Sequence, residues 1–105
     1  MSNLENQIFE IISHAGEARA NLYDALKETR KRNYDKADKL MESADKEMNA
    51  AHNVQTALIT DDLKNEVKIS LLLIHAQDQL MTTMSEQTLI QQMIEMQKQI
   101  NSFNK

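Results

Sequence analysis

Apolar residues recur at steps of three, four and seven along most of this chain, the spacing of one buried face on an α-helix. Leu4, Ile8, Ile11, Ile12, Ala15, Leu22 and Leu26 mark the first such face and predict a helix over about residues 3–31. Arg32 and Asn33 break it, and Asn33 is placed to cap a second helix. Tyr34, Ala37, Leu40, Met41, Ala44, Met48, Ala51, Gln55 and Leu58 repeat the pattern over 34–59, opposite a mixed-charge face that includes Asp35, Lys36, Lys39 and Glu42. Thr60 to Ser70 reads as a connection, with Asp61, Asp62 and Asn65 as turn residues and Val67-Lys68-Ile69 alternating like an extended segment. Ser70 is expected to cap a third helix over about 71–101, whose Gln-rich end keeps Leu89, Ile90, Met93 and Ile94 at helical steps. The expectation is an all-α fold, an antiparallel three-helix bundle running up, down and up as one domain over 1–105.

Composition strengthens that reading and removes several functions. Proline is absent and glycine occurs once in 105 residues, so tight hairpin turns have little to build on. A net charge of −4 and a pI near 5.3 argue against nucleic acid, since the 12 cations form no stripe interleaved with aromatics. Lys27, Arg30, Lys31 and Arg32 do cluster, where a first helix ends and cations favour its dipole. Cysteine is absent, which excludes disulfides, thiolate metal sites and a thiol nucleophile and fits a reducing cytoplasm. The longest unbroken apolar run is four residues, far short of a membrane span, and the N-terminal stretch carries Glu5 and Glu10 instead of a signal core.

That run, Leu71-Leu72-Leu73-Ile74, opens the third helix. Successive helical residues stand about 100° apart, so these four point nearly all round the axis. One apolar stripe suffices for a helix packed on one side. An all-round apolar stretch needs cover that two partner helices give only in part, so a subunit interface is expected here. His75 and Asp78 come immediately after, one turn apart on the same side. A buried carboxylate needs a partner. Lys and Arg are absent between Lys68 and Lys98, so Asp78 must find one on another helix, another subunit or a metal ion. Zinc is a poor fit, because His14 and His52 lie on other helices and no thiolate is available. No nucleophile elbow and no Gly-rich phosphate loop occur. From the residues alone a helical adaptor and a metal-binding sensor stay open beside a histidine-based carrier.

The segment Ser70-Leu71-Leu72-Leu73-Ile74-His75-Ala76-Gln77-Asp78-Gln79-Leu80-Met81-Thr82 resembles the signature of the enzyme IIA components of the lactose/cellobiose class of the bacterial sugar phosphotransferase system. Ile11-Ile12-Ser13-His14-Ala15-Gly16-Glu17-Ala18-Arg19, Ala51-His52 and Gln55-Thr56 carry the resemblance into the other two helices. It implies a cytoplasmic homotrimer whose His75 takes a phosphoryl group from HPr and gives it to a cysteine of enzyme IIB. It also implies that Asp78 meets its copies at the trimer axis around a divalent cation, usually Mg2+. The family commonly has a second histidine where this chain has Gln79, and a glutamine amide donates but cannot titrate. Gln77 and Gln79 are the candidate donors to a phosphoryl group, with Arg19 compatible with the same groove. His14 and His52 read as polar residues at helix contacts, the methionines as adaptable core and interface filler, and Gly16 as a point of close helix approach. The sugar is not specified by these residues, since the carrier does not touch it.

Overall fold

The computed structural model describes residues 2–103. Ser2 opens the first helix, α1 (Asn3–Arg30), with a capping box: its hydroxyl accepts from the Glu5 amide at 3.1 Å while the Glu5 carboxylate reaches back to the Ser2 amide. Lys27 and Arg30 occupy its last turn, and Lys31 closes it. Arg32, at φ 67°, then turns the chain into α2 (Tyr34–Leu63). Asn33 stands at the N-cap of α2, but its side chain makes no capping bond. Its amide donates to Glu28 at 2.8 Å instead. That bond, with Lys36 alongside and against the opposing effect of burial, holds the Glu28 carboxyl below its usual range.

The helix α2 runs four residues beyond the sequence expectation. Thr60, Asp61 and Asp62 continue the helical turns, and the Thr60 hydroxyl donates to the carbonyl of Thr56. Turn-forming residue types at the end of a strong helix prolonged it, because the break is set at Asn65, which takes φ 59°. Residues 66–70 form neither helix nor strand, and Val67 packs on the core. The Ser70 hydroxyl accepts from the Leu73 amide at 3.2 Å and so caps α3 (Leu71–Phe103) as expected.

The three helices form a rod 58 Å long and 19 Å across. Buried positions repeat in sevens: Ile11, Ala18 and Ala25 on α1, Ala37, Ala44 and Ala51 on α2, and Leu73, Leu80 and, past the half-buried Gln87, Ile94 on α3. A buried line that keeps a seven-residue period is the mark of coiled-coil packing. The alanines let α2 lie close along α1. Both α2 and α3 pack mainly on α1 and touch each other little. At one end Asn101 ties all three elements together. Its amide donates to the Thr29 carbonyl and the Tyr34 hydroxyl, both at 2.9 Å, and its own oxygen accepts from Gln97. Removing that amide deletes the two bonds that tie α3 to Thr29 and Tyr34, although the Thr29 carbonyl keeps the Arg32 amide, so Asn101→Ala should lower unfolding free energy by about 1–3 kcal/mol. A urea midpoint that falls with the slope unchanged is the expected result.

A second face of α3 is left largely uncovered by the described residues. Leu71, Ile74, Leu89, Met96, Ile100 and Phe103 are all more than half exposed, Leu71 at 83% and Phe103 at 84%. Of the Leu71–Ile74 run, Leu73 is buried and Leu72 partly so; the other two project outward. Most methionines are not core either. Met48 is buried, whereas Met81, Met84, Met93 and Met96 lie exposed along α3.

Candidate functional site

His75 sits one turn into α3, held there by the Ser70 cap and by Leu73 and Ala76, which fix the inward face on either side of it. Its imidazole is exposed, and its side chain makes no hydrogen bond or ion pair among the described residues. Asp78 is likewise exposed and its carboxylate likewise unpaired, rather than buried as a covered segment would require. The two residues share a side of α3 as their spacing predicts, but a single chain does not cover them. No described residue of one copy lies over this face. Asp78 falls in the middle of the exposed apolar stripe, and His75 stands about 60° round the helix from it and about 4.5 Å back.

That 60° turns His75 toward the flank of α3 that meets α1. Gln79 is one turn further along this flank and partly buried. Its amide nitrogen lies against Gly16, 3.4 Å from where a Cβ would stand. Gly16 therefore does mark a close approach, but a methyl group there would make an ordinary contact. Gln77 lies on the other flank, where its Oε1 accepts from Gln55 at 2.6 Å. The two glutamines are thus separated: Gln79 shares the side of His75, and Gln77 is drawn toward α2.

Arg19 reaches the same flank and is already occupied. Its Nε and Nη2 donate to the two oxygens of Glu86 at 3.0 Å each, and Nη2 also donates to the Thr82 hydroxyl at 2.6 Å. Tyr23 donates to Glu86 at 2.9 Å, and that carboxylate holds the phenol above its ordinary value. The forked pair fixes the register of α1 against α3 along the flank that carries His75. Sequence reading missed Glu86, Thr82 and Tyr23. The signal was there: Glu86 stands about three turns beyond His75, on the side of α3 that faces Arg19.

His14 and His52 do not join the site. His14 Nδ1 lies 2.6 Å from the Glu47 carboxylate, a helix contact between α1 and α2, and His52 is exposed on α2. A shallow apolar cleft of 240 Å³, lined by Leu58, Ile59, Val67, Ile69 and Ile74, opens between the end of α2 and the start of α3. Among the described residues no group of three or more His, Cys, Asp or Glu is placed to hold a metal ion within one chain. No described helix is long and apolar enough to cross a membrane. What the site offers chemically is an accessible imidazole nucleophile, the Gln79 amide on the same flank, and a lone carboxylate on an apolar surface.

Known proteins resemble this chain in sequence and fold. The family model for the lactose/cellobiose-specific IIA subunit of the PTS system matches residues 6–98. The lactose-specific EIIA component of Staphylococcus epidermidis is 40% identical over 91 residues, 86% of this chain and 88% of that protein. The crystal structure of the cellobiose-specific enzyme IIA of Bacillus anthracis superposes with a TM-score of 0.92 at 34% identity, covering 97% of this chain and 94% of that one. The IIA(chitobiose)–HPr complex of Escherichia coli contains a chain similar at a TM-score of 0.83 and 35% identity, over 96% of this chain and 99% of that one. Sequence and fold agree along nearly the whole rod, and this chain belongs to the lactose/cellobiose-specific IIA family of the phosphotransferase system.

Proposed function

We propose that this chain is a phosphocarrier that accepts a phosphoryl group from phospho-HPr on His75 and passes it to a cysteine of a cognate enzyme IIB. The observation that carries the reading is the state of His75: exposed, without an intramolecular partner among the described residues, between the buried Leu73 and Ala76 that hold its helix on the core. A neutral imidazole nitrogen attacks phosphorus, the bond to the donor breaks, and the donor departs with the electron pair. The acceptor thiolate then attacks the same phosphorus and restores the imidazole. Gln79, one turn along on the flank of His75, is placed to donate to phosphoryl oxygens, whereas Gln77 lies on the other flank with its Oε1 bonded to Gln55, and only its amide nitrogen remains to serve. The relatives are specific for lactose, cellobiose, diacetylchitobiose and oligo-β-mannosides, and a β-linked disaccharide or oligosaccharide is the sugar class proposed here.

The working form is a cytoplasmic homotrimer in which the exposed stripe of α3 packs on its own copies. Three-fold symmetry then brings three Asp78 carboxylates together on the axis. They are acceptor-only and mutually repulsive, and their oxygens suit a hard divalent cation such as Mg2+, which would neutralise them. His75, off the axis, stays reachable in the groove between neighbours. The test is transfer of labelled phosphoryl from phosphoenolpyruvate through enzyme I and HPr to this chain, then onward to a IIB cysteine. Label that stops at HPr overturns the reading.

A further inference from the structure

The exposed stripe of α3 is interrupted by polar residues at a fixed interval. Asp78, Ser85 and Gln92 stand seven residues apart, and all three are exposed. The inward face of the same helix also repeats in sevens, through the buried Leu73 and Leu80, the half-buried Gln87 and the buried Ile94. In a helix that keeps one buried line at that period, positions offset by a constant amount keep a second line. Asp78, Ser85 and Gln92 therefore fall on one line away from the core, about 10.5 Å apart along the axis. Leu89 and Met96 flank the line beside Gln92 and are exposed at 54% and 61%. Neither Ser85 nor Gln92 makes a side-chain hydrogen bond among the described residues.

The three layers differ in what they can do for themselves. Around a three-fold axis each residue meets two copies of itself. A carboxylate only accepts, so the Asp78 layer cannot close a ring of hydrogen bonds. A carboxamide donates and accepts, so each Gln92 can give Nε2–H to the next copy's oxygen and close a ring of three, and the Ser85 hydroxyls can do the same. The occupant of this face is thus a residue pattern complementary to itself: further copies of this chain. Resting on the trimer proposed above, we infer that Gln92 forms a self-satisfied polar layer at the α3 interface, which fixes register and copy number without a metal ion, while Asp78 alone requires the cation. A polar layer in an apolar seam is favourable only when every copy is in step, so a shifted or two-chain pairing leaves amides unpaired.

Sedimentation of the full chain in magnesium tests this, with Gln92→Glu and Gln92→Leu beside the wild type. Gln92→Glu keeps the shape but removes the donors and adds three like charges, so the concentration for half-assembly should rise about a hundredfold or more. The same loss should appear in an Asp78→Leu background, where the axial charge at residue 78 is gone. Gln92→Leu should stay assembled. Helix content by circular dichroism should be the same in all of them, showing that a lost assembly is not a lost fold. A trimeric wild type whose Gln92→Glu variant assembles as tightly would overturn this inference and leave the trimer standing. A Gln92→Leu protein that falls apart would also overturn it. A wild type with the mass of one chain would remove the trimer and the layer together.

Discussion

The His75→Ala protein should take up no phosphoryl group from phosphorylated HPr, while its helix content and its assembled mass should stay those of the wild type. The expected loss is complete because the reaction needs a nitrogen lone pair at this place, and no other described side chain offers one there. His14 is engaged with Glu47 on the α1–α2 contact, and His52 lies on α2. Substituting either should leave acceptance measurable. The fold is unaffected because the imidazole is exposed and bonds to nothing among the described residues, so its removal opens no cavity and orphans no polar group. Label incorporation from phosphoenolpyruvate, with the labelled peptide identified by mass, measures the outcome. Uptake by His75→Ala would move the nucleophile elsewhere.

The helices were legible because their signal is redundant. Each buried line recurs along the length of its helix, and no proline or mid-chain glycine cluster competes with it. What was misread was local. Thr60-Asp61-Asp62 has turn chemistry, yet Leu58 is buried against the core and carries the helix past it. Asn33 has the right type for an N-cap, yet the Glu28 carboxylate beside it is a charged acceptor and the stronger partner, so the amide turns to Glu28. The site divides in the same manner. His75, Asp78 and Gln79 were visible as a run on one helix. The Arg19–Glu86 fork and the Gln55–Gln77 bond were not, because they join residues 67 and 22 apart in sequence and depend on how two helices are rotated. Rotation is a tertiary quantity. Periodicity gives the apolar face of a helix but not which neighbour each flank of it meets.

The all-round apolar start of the third helix demands cover, and one chain alone leaves that demand unmet. Leu71, Ile74, Met96 and Phe103 are each more than half exposed, which is a large apolar line to leave in water. Each of these side chains contributes about 1.5–3 kcal/mol if fully covered. Against that stands Asp78 in the middle of the line. Three copies brought to one axis repel, and burying an unpaired carboxylate costs several kcal/mol each. Association of wild type should therefore be cation-dependent: chelation should raise the concentration needed for the trimer, and magnesium should restore it. Asp78→Leu should assemble at least as tightly as the metal-loaded wild type and be indifferent to chelator. The substitution removes the repulsion and the need for the ion together, and a buried charged cluster is often no more stabilising than the apolar side chains that replace it. Sedimentation of both proteins, with and without chelator, makes the comparison. A variant that falls to single chains, or a wild-type trimer untouched by chelation, would sink the axial cation and leave Asp78 to be explained by a contact that does not cross the axis.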